Sequence, residues 1–204
     1  MNTIKIERKL DIPFRGGRDY IYASDTLKNI LSTIAREYPS TEISDIDFAT
    51  HSLATSQLIL NLSEKSETDL STVHAIFCCK LSGKDVFGIL SESGEKITKR
   101  IPYVEDDIVN LAELDKEKKE VSIARQTGYD VIDVFTCLNK FLLHNIFPDI
   151  SGHWLSVKTK LSKTLSNEYD VAAVKFERIF GNKYTLSKLY YNDEVVGTLN
   201  FSIR

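Results

Sequence analysis

Cysteine is scarce in this chain: Cys78, Cys79 and Cys137 are its only three among 204 residues. An odd, sparse set without metal-ligand spacing excludes a disulfide framework and points to a reducing compartment. Glycine and proline are few as well, nine and four, which leaves little material for disordered linkers. Neither sign of charge dominates, since 26 Lys and Arg stand against 29 Asp and Glu. The charges are mixed along the chain, so no basic tract offers itself to nucleic acid or to an anionic membrane. No run approaches the ~18 uninterrupted apolar residues of a membrane span. The first residues, MNTIKIERKL, lack the apolar stretch of a signal peptide. The expectation is a soluble cytoplasmic protein, with neither nucleic acid nor membrane as partner.

What is present begins with Phe14-Arg15-Gly16-Gly17-Arg18-Asp19-Tyr20-Ile21. Two arginines bracket two glycines just ahead of a helical pattern. The stretch lacks the GxxxxGK[ST] spacing of a P-loop, and no cofactor motif occurs elsewhere. Thr26–Glu37 reads as a helix, with Leu27, Ile30, Leu31 and Ile34 at helical spacing. Ser24 and Asp25 offer capping oxygens at its start, and Tyr38-Pro39 stops it.

A similar order returns later. A shift of 111 aligns Asp19 with Asp130, Ile21 with Ile132, Leu27 with Leu138, Ile30 with Phe141 and Leu31 with Leu142. The second helix also ends at an aromatic-proline pair, Phe147-Pro148. Late in each half a hairpin is expected, Lys80–Leu90 against Leu189–Leu199, with Gly83 and Asn192 suited to the tight turn. Gly88 and Gly197 fall inside strands, where glycine marks a bulge or a close backbone approach. Each half thus reads strand, turn, amphipathic helix, then three or four strands. Between them, 104–122 is rich in acids and lysines and reads as a solvated connector.

This repeated order resembles the tandem, or double, hotdog arrangement. The resemblance covers Ile4 to Ile203 and rests on element order and repeat length. It implies an α+β fold of two units, 1–103 and 123–204, each a curved antiparallel sheet wrapped around one central helix. Hotdog relatives include acyl thioesterases and hydroxyacyl dehydratases, so the resemblance implies acyl-CoA or acyl carrier protein as ligand. It also implies an apolar tunnel between the units, and further pairing of such units into homo-oligomers. Dehydratases of this type carry a histidine ahead of the central helix. Here none precedes either helix, so thioester hydrolysis by a carboxylate is the better fit, and a non-catalytic ligand-binding or scaffold module is the alternative.

The resemblance places catalytic groups just before the first helix. Asp19 and Asp25 are the carboxylate candidates, each with a structural reading beside it: holding the turn, or complementing the helix dipole. Under the 111 shift Asp25 pairs with Thr136 and is particular to the first half. Arg15, Gly17, Arg18, Tyr20 and His51 are the candidate substrate-binding residues. The arginines suit a phosphate of coenzyme A or phosphopantetheine through charge-assisted bonds. Arg15–Arg18 align roughly with Gln126–Tyr129, so the double-arginine character belongs to the first half alone. His74 reads as a sheet histidine. Cys78 and Cys79 must point to opposite faces of a strand. His144 and His153 are too far apart for a local metal pair, and no metal site is expected.

Overall fold

The computed structural model describes residues 4–65, 73–181 and 183–204. The chain divides into two compact units. One is Met1–Tyr103 with Ser162–Thr164; the other is Val104–Leu161 with Leu165–Arg204.

The first unit contains β1 (Lys5–Leu10), β2 (Phe14–Arg15), α1 (Ala23–Glu37), β3 (Ile43–Thr50), β4 (Ser56–Ser63), β5 (Ala75–Leu81), β6 (Lys84–Lys96) and β7 (Arg100–Ile101). Its main sheet is antiparallel, in the order β1-β4-β6-β5-β3. Strict alternation builds it. β5 reads Ala-Ile-Phe-Cys-Cys-Lys-Leu with every second side chain buried, the period of a strand with one face on the core. Helix α1 is amphipathic, with Leu27, Ile30 and Ile34 fully buried and Arg36 and Glu37 exposed. It ends at Tyr38, as the following proline requires.

The second unit contains α2 (Glu105–Val109), β8 (Glu113–Asp115), β9 (Glu120–Ile123), α3 (Val131–Ile146), β10 (Trp154–Lys163), β11 (Ala172–Phe180), β12 (Tyr184–Tyr191) and β13 (Glu194–Ile203). Its strands run antiparallel in the order β10-β13-β12-β11-β9-β8. Helix α3 is buried almost all round, through Val131, Ile132, Val134, Phe135, Leu138, Leu142 and Leu143.

The charged segment 104–122 is not a solvated connector. Ile108 and Val121 within it are fully buried, β9 pairs with β11, and Lys140 of α3 holds Glu105 at 2.6 Å. The apolar residues are thinly spaced among the charges, which hides them from a reading by composition.

In both units the long helix is followed by four strands of the main sheet, β3–β6 after α1 and β10–β13 after α3. Both close their hairpins with a two-residue loop whose residues have positive φ: Ser82-Gly83 and Asn192-Asp193. That is the twist-matched turn of a tight hairpin. The units differ in how the hairpin enters the sheet. In the first, the trailing arm β6 lies beside β4, and the leading arm β5 lies beside β3. In the second, the leading arm β12 lies beside β11, and the trailing arm β13 lies beside β10.

The two strand glycines also differ. A Cβ on Gly197 would stand 1.9 Å from the carbonyl oxygen of Lys160, whereas one on Gly88 would meet Phe77 Cβ at 3.3 Å. Gly197 marks a true close approach of backbones, and Gly88 a snug side-chain contact.

Candidate functional site

The arginine loop is seated by backbone bonds. β2 pairs in parallel with β7, Phe14 with Arg100 and Arg15 with Ile101. Phe14 N donates to Lys99 O at 3.1 Å, and Gly16 N to Ile101 O at 2.9 Å. Gly16 has φ +52°, and a Cβ there would also crowd Tyr103 at 3.2 Å, so the first glycine is demanded by the turn. Gly17 is exposed with open space around it, and nothing in the fold requires glycine there. Arg18 N closes the turn on Arg15 O at 3.1 Å, and Ile21 N donates to Ala54 O at 2.9 Å, setting the entry to α1.

Arg15 turns inward and Arg18 does not. Arg15 donates from Nε and a terminal nitrogen to the two oxygens of Asp25, at 2.6 and 2.5 Å. Lys28 Nζ lies 2.9 Å from Asp25 Oδ1. The side chains of Arg15 and Asp25 are only 7% and 6% exposed, so this is a buried, bidentate pair with a second cation one turn along. Burial by itself would raise the Asp25 pKa. The hydrogen bond from Arg15 and the charges of Lys28 and Arg15 outweigh it, and the carboxyl lies below its ordinary 3.8. Asp25 is therefore an ionised group whose two oxygens are already engaged.

Arg18 is half-buried among aromatic rings. Its guanidinium donates to the Tyr20 hydroxyl at 2.7 Å, and its Cζ stands 5.5, 5.7 and 5.9 Å from the ring centres of Tyr20, Tyr22 and Tyr103. Tyr20 and Tyr22 are stacked at 5.6 Å. Three rings hold the cation in place by cation–π attraction. Among the described residues the Tyr20 bond is the one its side chain makes, which leaves further N–H donors of the fork for an anion. Arg100 braces the loop from behind, donating to Gly16 O at 2.8 Å and Arg18 O at 2.5 Å. Four cations, Arg15, Arg18, Lys28 and Arg100, are thus gathered around the loop with one buried acid, Asp25.

Not every expected residue joins this cluster. Asp19 is exposed at the loop tip. His51 lies in an exposed bend after β3, where its N–H donates to His74 O at 2.8 Å; among the described residues no contact ties it to the arginines. His74 precedes β5, is 4% exposed, and its Nδ1 lies 3.0 Å from Ser52 Oγ. Burial chiefly lowers its pKa, against the nearby Glu92 charge, which raises it. Cys79 is buried and its thiol is pushed up to about 12, first by burial and then by Cys78, which is half-buried on the other face. No group of three or more metal-ligating side chains occurs among the described residues.

Tyr22, Lys28, Arg100 and Tyr103 are the members that sequence reasoning missed. Arg100 and Tyr103 reach the loop through a two-residue parallel pairing that leaves no periodic trace. Tyr22 shares a face with Tyr20 by strand-like alternation in Tyr-Ile-Tyr, a signal that was available.

The start of α3 is built differently. Its N-cap is Asp130, whose carboxylate accepts from Ile132 N at 2.9 Å, while Asn167 Oδ1 accepts from Val131 N at 2.9 Å. The N-cap of α1 is Tyr22, with no side-chain cap bond. Ser24 and Asp25 are not the caps that the sequence suggests; they lie inside the first turn. Aligning the caps gives a shift of 130 − 22 = 108, not 111. The counterpart of Asp25 is then Asp133 (25 + 108), also a buried first-turn acid, and not Thr136. The counterpart of Arg15 is Ile123 (15 + 108). The acid is common to both helices, and the arginine is particular to the first.

No family model and no curated protein matches the sequence. Solved structures do match in fold. The tesB protein of Mycobacterium avium subs paratuberculosis is similar with TM-score 0.52 at 9% identity, covering 98% of this chain and 92% of that one. The dehydratase domain of PpsC from Mycobacterium tuberculosis, solved in complex with C12:1-CoA, gives 0.53 at 7% identity, with 99% and 94% covered. The 12:0-ACP thioesterase from Umbellularia californica gives 0.51 at 8% identity, with 98% and 97% covered. No helix among the described residues is long and apolar enough to cross a membrane. With antiparallel sheet throughout its main sheets, few helices and likeness to these structures along nearly its full length, the chain has the hotdog fold.

Proposed function

We propose that this chain is a tandem pair of hotdog units that binds an acyl thioester of coenzyme A or of an acyl carrier protein at the start of α1, and that it hydrolyses it. The observation that carries this reading is the pairing of an uncapped helix start with a half-buried arginine. Arg18, held by three tyrosines and left with unused donors, suits a phosphate of the carrier. The N–H groups of the first turn suit the thioester oxygen as negative charge develops on it. Two of the similar structures, one solved in complex with C12:1-CoA and the other a 12:0-ACP thioesterase, support the same substrate class.

The roles divide by geometry. Asp25, occupied by Arg15 and Lys28, positions the loop and accepts no proton. Asp19, exposed beside Arg18, is the general base. It takes a proton from water as the oxygen attacks the thioester carbon. The C–S bond then breaks and the thiol leaves with a proton. A second reading is a binder without turnover, favoured by the single unengaged carboxylate and the exposed placement of His51.

The test is thiol release from short, long and aromatic acyl-CoA thioesters, beside calorimetric binding of the same ligands and of free coenzyme A. Replacing Arg18 with alanine should weaken binding roughly tenfold or more, the worth of a charge-assisted bond. Asp19→Ala should remove turnover and leave binding intact. Binding without turnover in the unaltered protein selects the binder reading. Failure of every ligand to bind would sink both.

A further inference from the structure

The end of β3 and the start of β5 place a serine against a histidine. Thr50 and Ala75 are the last paired residues of the two strands at this end. Beyond them His51 N donates to His74 O at 2.8 Å, and His74 N donates to Leu90 O of β6 at 2.8 Å. These bonds fix the His74 backbone on both sides. Ser52 follows in an exposed bend, with its Oγ 3.0 Å from His74 Nδ1. The far side of the bend is tied as well, since Ala54 O accepts from Ile21 N at 2.9 Å. A hydroxyl on an exposed residue thus meets the ring of a histidine that is only 4% exposed.

That pairing has the parts of a nucleophile and its base. A serine hydroxyl is a weak nucleophile until a group within hydrogen-bond reach takes its proton. Burial chiefly holds the His74 pKa below its ordinary 6.5, against the Glu92 charge and with His51 adding to the fall. The imidazole is therefore neutral at pH 7. With the ring proton on Nε2, Nδ1 accepts from the Ser52 hydroxyl. Glu92 of β6 is held by Thr55 N at 2.6 Å and Ser56 N at 2.9 Å. Its charge favours the imidazolium that forms when the proton moves. The N–H groups of Ser52 and Leu53 make no hydrogen bond among the described residues. By covalent connectivity the Leu53 N–H stands beside Oγ, the place from which the residue after a nucleophile stabilises an oxyanion.

The surroundings limit the substrate. The ionised group that His74 feels is an acid, Glu92. Leu53 sets an apolar side chain, 39% exposed, next to the serine in the chain. An anionic carrier is disfavoured beside that charge, and an uncharged ester is not. We propose that Ser52 is a nucleophile and His74 its general base, in a second site that takes uncharged carboxylic esters. The Ser52 oxygen bonds to the ester carbon as its proton passes to His74 Nδ1. The C–O bond to the alcohol breaks, and the alcohol leaves with that proton. Water then adds to the acyl–serine and gives a proton to His74. The bond from the acyl carbon to Ser52 Oγ breaks, the serine oxygen takes that proton back, and the acid departs. No phosphate contact is needed at any step.

The experiment uses the full chain and two uncharged probes, diisopropyl fluorophosphate and p-nitrophenyl acetate. Neither carries an anionic phosphate for the arginine loop, so the outcome is independent of the function proposed above. The fluorophosphate should leave one diisopropylphosphoryl group, located on Ser52 by peptide mass mapping. Nitrophenolate release above the buffer rate should fall roughly a hundredfold in Ser52→Ala and in His74→Asn, the low end of what general-base catalysis contributes. His74→Asn keeps a hydrogen-bonding side chain but cannot take the serine's proton, so a merely structural bond would survive it with no loss of rate. In the parent the labelling rate should be level at neutral pH and decline as pH falls through a value under 6.5, as His74 gains its proton. No adduct, an adduct elsewhere and not on Ser52, or unchanged nitrophenolate release in Ser52→Ala overturns the site. Ser52→Ala removes one oxygen from an exposed residue, which keeps the test decisive should His74→Asn fail to fold.

Discussion

At the start of α3, Asp130 and Asn167 bond the helix's own N–H groups. At the start of α1 no side chain caps the helix, and a buried arginine–aspartate pair stands beside it. Both helices carry a buried acid in the first turn, Asp25 and Asp133. The difference lies in what approaches. In the second unit the position matching Arg15 is Ile123, fully buried. In the first it is a guanidinium, and three residues later comes Arg18 with its ring of tyrosines. One terminus has been closed by its own chain and the other kept free of a cap and lined with positive charge. A helix start can serve stability or an anion; under the proposed function α1 takes the second course and α3 the first.

Breaking that contrast should cost most at the buried pair. Arg15→Ala leaves Asp25 with Lys28 alone, and Asp25→Ala leaves a buried guanidinium; each should lower stability by about 3–5 kcal/mol in chemical denaturation. The double substitution to apolar residues of similar volume should cost much less than the sum. The pair should also make the protein acid-sensitive. The Asp25 pKa is depressed on folding, so its contribution is complete above the unfolded value of about 3.8 and is lost as pH falls through the lower folded value. A titration of Tm below pH 4 in the parent and in Asp25→Asn checks the sign: the parent should lose more stability than the variant.

The strand glycines come next. Gly197→Ala drives a Cβ into the Lys160 carbonyl and should cost about 1–3 kcal/mol or more, as overpacking does. Gly88→Ala, which needs only a small shift of Phe77, should cost visibly less. Equal losses for the two would mean that the backbones in the second unit can part.

The smallest effect belongs to the capped terminus. Asp130→Ala should cost about 1 kcal/mol, the usual worth of an N-cap, and should leave acyl-CoA binding unchanged. The reciprocal change, Tyr22→Asp, adds a cap and a negative charge beside Arg18. It should weaken coenzyme A binding whatever it does for stability. If binding were unaffected, the site would lie elsewhere.

The sequence was a good guide where a signal is local. The alternation in β5, the stop at Tyr38-Pro39 and the two hairpin turns all follow from neighbouring residues. It misled where equivalence had to be inferred over distance. Matching Asp19 with Asp130 set the helices three residues out of step, because an N-cap aspartate and a loop aspartate look alike without backbone angles. That slip concealed that Asp25 and Asp133 hold the same first-turn position in their helices and made the acid look particular to the first half. The double-arginine asymmetry survives the correction, because neither alignment places an arginine pair ahead of α3. The partners Arg100 and Tyr103 could not be read at all, since a two-residue strand pairing has no pattern of its own. Nor could the entry of the first hairpin into its sheet. Alternation fixes which faces are buried and a turn fixes which arms pair, but neither says which arm meets which neighbour.

That reversed hairpin sets how far each sheet must search for its partners. In the second unit β11, β12 and β13 meet as consecutive neighbours, with Val174 facing Leu189 across 15 residues of chain. In the first, Leu60 meets Leu90 across 30, after β5 has been passed over. Doubling the span adds only about 0.6 kcal/mol of closure entropy, yet contacts distant in sequence are the ones that slow folding. Each sheet also closes longer spans: Thr159 meets Leu199 across 40 residues in the second, and Ile43 meets Leu81 across 38 in the first. The reversed hairpin therefore changes the order in which neighbouring strands are met rather than the need for long-range closure.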